Sequence, residues 1–359
     1  MTTLQPAPFS PSPPVGPSPG RRTWSAAVCL IIAAAALCSP SLVLASNRPS
    51  AVSVVDFRGQ PLTFERPVKR IVCLIESALS GLYMLDAGQQ VVGVPANIYQ
   101  PPVFGWYAAL DGRIKDKLLP APGNWDFVSI EGVIALKPDV VIIWSQQREA
   151  IAALEEHGIK VFGVFLKSRH DVYREMLALG AMTGRRERAR ELVAYTEGDI
   201  GRIARRTASI PAPARPMVYY MWAQGPLETS CGNSTVNDMI TLAGGVNACG
   251  SLPREHLIVN QEQVLAWNPE VIVMWGNDRL DPADIMADPR WRILRAVKTR
   301  RVHELPEVFL CDLWTLKFAY AVKLLASWCH PQAFADLDVA AERRAMLAKL
   351  YGPKLGAFQ

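Results

Sequence analysis

Aromatic and polar side chains are placed where short apolar runs give way to loops. They are Tyr99, Trp106, Asn124, Trp125, Trp144, Trp222, Ser230, Asn233, His256, Trp275 and Asp312. In open α/β sheets, ligands bind outside the carboxyl ends of the strands, which is where such residues would gather. The chain holds ten tryptophans. Each can offer roughly 150–250 Å² of stiff, amphipathic surface to a flat or bulky ligand. The chemistry this suggests is non-covalent capture. The competing role is packing beneath a residue's own loop, and it weighs most for Trp144 and Trp275, which end buried runs. Catalytic signatures do not appear: there is no GxGxxG after a strand, no GxxxxGK[ST], no GxSxG and no HExxH. No His, Cys or Asp group has metal-ligand spacing, so we assign neither catalytic nor metal-binding residues.

The elements that must position these residues are marked by a phrase that occurs twice. Val128–Trp144 reads VSIEGVIALKPDVVIIW and Val259–Trp275 reads VNQEQVLAWNPEVIVMW, at an offset of 131. Identities include Val128/Val259, Glu131/Glu262, Ala135/Ala266, Pro138/Pro269, Val140/Val271 and Trp144/Trp275. Each copy predicts a short helix, a turn and a buried strand. Ser129 and Asn260 are good N-caps, and an acid in the first turn suits the helix dipole. Pro138 and Pro269 end the helices, and the β-branched runs that follow suit strands covered on both faces. A long-period repeat of this kind implies two similar α/β lobes with function between them.

The rest of the chain fits two lobes. Strands are predicted at Val52–Phe57, Arg70–Leu74, Val91–Val94 and Val161–Phe165, and helices at Ser77–Asp86 and Ala150–His157. Pro95–Trp106 reads as a loop. From His170 to Ser209 the pattern is helical and Arg-rich, a spine rather than a flexible linker. The second lobe offers strands at Met217–Trp222 and Arg301–Leu305, and helices at Thr235–Leu242, Leu316–Trp328 and Asp338–Tyr351. The expected division is a signal peptide over residues 1–45, a first α/β lobe over 46–168, an interdomain helix over 169–210 and a second α/β lobe over 211–359.

The leading segment carries Arg21 and Arg22, an apolar run from Ala26 to Cys38 and a Val43-Leu44-Ala45 end, the order of a cleaved export signal. Whether export is by the general or the twin-arginine route is left open. Five cysteines follow: Cys73, Cys231, Cys249, Cys311 and Cys329. An odd number in an exported chain leaves at least one free. Cys73 reads as a core thiol, and the pairing of Cys231 with Cys249 is left open. The formal charge of +5 is modest, and its Arg clusters lie on a helical face without interleaved aromatics, so nucleic acid is not an expected partner.

Taken in order, the KRIVCL strand, SIEGVIALKPDVVIIW, a long central helical stretch, TSCGNSTVNDMITLAGGVN, NQEQVLAWNPEVIVMWG and DPRWRILRAVKTRRVHELP resemble the ABC-transporter substrate-binding proteins for iron–siderophore and vitamin B12 uptake. The likeness covers roughly residues 50–352. It implies two Rossmann-like lobes joined by a long rigid helix, a ligand cleft between them, a periplasmic monomer and an ABC permease–ATPase complex as partner. It also implies permease-docking roles for Glu131 and Glu262. In B12-binding members a tryptophan stands six residues before the first such Glu, here Trp125, and another ends the next strand, here Trp144. The corresponding place in the second lobe holds His256, which would suit a metal or an anionic chelator. The expected ligand is therefore a ferric siderophore, ahead of a corrinoid and of haem. An exported α/β enzyme is the reading from another class, and a docking module without a small ligand is a third.

Overall fold

The computed structural model describes residues 51–277 and 279–356. The signal segment expected over 1–45 lies outside the described residues. The chain opens with an antiparallel hairpin, β1 (Val52–Val55) and β2 (Pro61–Phe64). Then strands and helices alternate: β3 (Ile71–Cys73), α1 (Glu76–Met84), β4 (Val91–Gly93), α2 (Phe104–Leu110), α3 (Gly112–Lys115), α4 (Ile130–Ala135), β5 (Val140–Trp144), α5 (Arg148–Glu156) and β6 (Val161–Val164). The four strands β3 to β6 form one parallel sheet in the order β4-β3-β5-β6. Every residue of β3 and β6 is buried, as both-face coverage by helices requires.

Two helices, not one, follow. α6 (Arg169–Thr183) ends where Gly184 takes a φ of +75°, a conformation that costs glycine nothing, and α7 (Arg186–Ala208) begins at once. The second sheet is built from β7 (Met217–Met221), β8 (Glu228–Thr229), α8 (Thr235–Leu242), β9 (Val246–Asn247), β10 (Leu257–Ile258), α9 (Gln261–Trp267), β11 (Val271–Met274), α10 (Pro282–Ala287), α11 (Arg295–Lys298) and β12 (Val302–Glu304). Its parallel order is β12-β11-β7-β9, with β8 and β10 paired separately. The repeated phrase is helix α4 with strand β5 in one sheet and helix α9 with strand β11 in the other. Ser129 and Asn260 accept from the amides of Gly132 and Gln263 at the two helix starts.

The tail departs from its expected place. α12 (Phe318–Cys329) packs on α7 and α8, but α13 (Val339–Tyr351) and α14 (Pro353–Gly356) return to α1 and α2 of the first sheet. Tyr351 and Ser80 share a hydrogen bond of 2.6 Å, and Lys354 donates to the Leu110 carbonyl. One buried apolar cluster accordingly runs from Val52 to Leu355 through both sheets. The stretch read as a loop up to Trp106 becomes helical at Phe104, because Trp106 and Tyr107 find partners: Trp106 stacks on Phe309 at 4.9 Å and the Tyr107 hydroxyl donates to the Glu76 carbonyl. Cys231 and Cys249 are joined in a disulfide, while Cys73, Cys311 and Cys329 are free and buried.

Candidate functional site

The carboxyl end of β3 runs straight into α1, and the ends of β5, β7 and β11 carry Trp144, Trp222 and Trp275. Between the sheets the ends of β3, β5 and β11 border a cavity of about 200 Å³. Its walls are Trp125, Trp144, Trp275, Trp314 and Val308, and its floor is Glu76, Ser77, Asn97 and Asp312 below Leu74 and Ile75. Trp125 stands at the mouth, 65% exposed. A tight turn holds it there: Asn124 Oδ1 accepts from the amides of Asp126 and Phe127, and the Asn124 amide bonds the Phe127 carbonyl. Gly123 makes the turn possible, since a Cβ there would lie 2.5 Å from the Phe127 oxygen.

Behind the second-sheet wall, Trp222 stacks on Trp314 at 5.8 Å with planes 6° apart, and both lie within 6 Å of the Trp275 ring. The Trp222 indole donates to Ser230 Oγ at 2.8 Å, and Ser230 is wholly buried. Trp222 and Ser230 thus support the wall from outside the cavity. Glu76 opens α1, and its carboxylate accepts from Asn97 Nδ2 at 2.7 Å. Burial pushes the Glu76 carboxyl up to about 7, and the neighbouring Asp312 adds to the rise. Asp312 is buried, accepts from the Trp314 amide at 3.0 Å, and is likewise raised by burial. Beneath them Lys317 is fully buried and held down to about 8 by burial. Its ammonium donates to Ser80 Oγ at 3.0 Å and lies 3.7 Å from the Phe309 ring centre. Glu175 of α6, also buried beside Asp312, is pushed up to about 8 by burial.

The residues expected from sequence divide clearly. Trp125, Trp144 and Asp312 line the cavity, and so does Trp275. Tyr99 does not: it packs on Phe104, and its hydroxyl donates to the Leu119 carbonyl. Trp106 bridges the lobes by donating to Glu307 at 2.6 Å and is no part of the lining. Asn124 serves its own turn. Asn233 is exposed, with its amide on the Arg254 carbonyl. His256 is exposed, bonds Glu228 at 2.7 Å and stacks at 6.5 Å on Trp222. The cavity lining includes Trp125 but not His256, whose Nε2 is held by Glu228 beside the β8–β10 pair. Glu76, Ser77, Asn97 and Trp314 went unnoticed in the sequence. Glu76 and Ser77 directly follow the apolar strand Ile71–Leu74, so the rule that selected the other strand ends applies to them as well.

Glu131 and Glu262 sit exposed in the first turns of α4 and α9. Among the described residues, no three His, Cys, Asp or Glu side chains group to hold a metal ion.

A family model described as periplasmic binding protein matches residues 71–308. The chain belongs to that family. Its members are binding proteins of transporters rather than enzymes. The molybdate-binding protein MolA of Haemophilus influenzae is 26% identical over 311 residues, spanning 80% of this chain and 87% of MolA. The vitamin B12-binding protein of Pectobacterium carotovorum is 24% identical over 211 residues, spanning 58% and 72%. The solved structure of MolA bound to molybdate superposes with a TM-score of 0.73 at 23% identity, over 83% of this chain and 97% of MolA, a likeness of fold. Relatives in the family thus carry ligands of different chemistry on one architecture.

Proposed function

We propose that this periplasmic binding protein captures a metal chelate outside the cytoplasm and hands it to the permease of an ABC importer. The observation that carries the ligand class is the cavity between the sheets, walled by four tryptophans. Such walls bury the apolar rim of a chelate and, being stiff, lose little entropy on binding. At about 200 Å³ the cavity is smaller than the few hundred Å³ usual for sites that engulf a ligand, so a chelate would enter by one edge and rest against Trp125. A ferric siderophore of the hydroxamate type fits this site better than an anionic catecholate, because Glu76 and Asp312 line it. A corrinoid, whose rim is made of amide donors, is the second reading for the same reason. His256 is not part of the cavity lining, and its Nε2 is engaged by Glu228. Delivery is supported by Glu131 and Glu262, which stand at equivalent exposed places in the two repeats and suit a two-fold pseudosymmetric partner. Export would follow cleavage after Ala45, and N-terminal sequencing of the mature chain reads that directly.

The test is native mass spectrometry of protein taken from its own host with its ligand retained, beside titrations with ferric hydroxamates and cobalamin. A retained iron or cobalt complex that also binds in titration is the expected result. A retained metal-free solute, with neither chelate binding, overturns the reading.

A further inference from the structure

We infer that the cavity floor is a seat for a positively charged group of the ligand, formed by Glu76, Asp312, Ser77 and Asn97 beneath the tryptophan walls. This rests on the cavity being the ligand site. Ser77 is 6% exposed and belongs to the cavity lining, and its buried Oγ has no hydrogen-bond partner. A buried hydroxyl left so is costly until something fills its place. Acidic groups outnumber basic ones around the floor. Glu76 and Asp312 line it, and Glu175 lies close behind Asp312. The single buried cation there, Lys317, directs its ammonium to Ser80 and the Phe309 ring. An incoming cation would meet the acids Glu76 and Asp312 and the tryptophan walls, which attract it. An oxyanion would meet the reverse. The α1 N-terminus, which favours anions, already carries Glu76 in its first turn.

Two sources could supply the charge: an ammonium arm on a chelate, or a small organic ammonium filling the cavity alone. Binding should also release a proton. In the free protein Glu76 is raised to about 7 by burial and Asp312, against the pull of Lys317 and Asn97, with Tyr107 and Tyr351 also facing it. A cation beside it restores the carboxylate.

The experiment pairs ferrioxamine B, a hydroxamate chelate with a pendant ammonium, with its N-acetylated form, which keeps the chelate and loses the charge. A ferric tris-catecholate, molybdate and tetramethylammonium complete the series, followed by tryptophan fluorescence and by calorimetry in buffers of different ionisation enthalpy. Ferrioxamine B is expected to bind at least ~10-fold tighter than its acetylated form, with proton release. Glu76→Gln, and separately Asp312→Asn, should shrink that ratio several-fold, with melting temperature read alongside. Equal binding of the pair overturns the cation seat and leaves the chelate reading standing. Tetramethylammonium bound while every chelate fails keeps the seat and removes the chelate. Tightest binding by molybdate or the catecholate overturns the seat, and so does failure of the whole series.

Discussion

Trp125 and Glu175 make different demands at the residue scale. Trp125 is held out at the cavity mouth by a turn that does not need its indole, so Trp125→Ala should leave the fold intact. Loss of a central aromatic anchor typically costs about 2 kcal/mol or more, so we expect chelate binding to weaken at least ~10-fold. Titration by fluorescence quenching checks it; unchanged affinity would remove Trp125 from the site. Glu175 is buried with one carboxyl oxygen unpartnered, beside Asp312 and Cys73. Its folded value of about 8 lies above the ordinary 4.5. The folded state therefore keeps a proton that the unfolded chain gives up in this window. Stability from this group is full below the unfolded value and is lost as pH rises toward 8, by about 1.4 kcal/mol per unit at most. Glu175→Gln should flatten the dependence and melt higher than the parent at pH 8. Equal melting curves from pH 5 to 8 would show that Glu175 does not titrate there.

The elements gave their identity away because period and punctuation agree in the repeat: Ser129 or Asn260 starts each helix, Pro138 or Pro269 ends it, and a β-branched run follows. The site was less legible. Trp144, Trp275 and Asp312 follow from the strand-end rule, whereas His256, placed by symmetry, lies outside the cavity lining and is held by Glu228 beside a local strand pair. Glu76 and Ser77 were concealed inside the reading of α1, and the tail's return to α1 depends on Tyr351 meeting Ser80, 271 positions apart, which no local pattern reports. At this scale the exposed first turns of α4 and α9 predict that Glu131→Ala with Glu262→Ala leaves ligand affinity unchanged and cuts uptake severely. Normal uptake by the double variant would leave these acids as mere helix-dipole partners, worth about 0.3–1 kcal/mol each. The spine is also fastened. Lys323 of α12 pairs with Asp199 of α7 at 2.6 Å and with Glu342 of α13, its side chain 4% exposed. Lys323→Ala should cost about 2–3 kcal/mol in chemical denaturation, below the full loss for a stranded buried charge because Arg202 still holds Asp199. A change within about 0.5 kcal/mol would show the pairing to be dispensable.

At the scale of the whole molecule, one apolar cluster crosses both sheets, and the helical connection is locked to the tail. We expect ligand to close the lobes by about a few degrees, a shear between packed elements rather than a wide hinge. Scattering with and without ligand decides it, since a large fall in radius of gyration would reveal a hinge. The same tail sets an order in time. Because α13 and α14 complete the wall behind α1 and α2, the first lobe cannot finish its core with its own last strand, β6, and needs the tail to arrive. Until the tail docks, the first lobe is half built, with an open apolar side where α13 and α14 will pack.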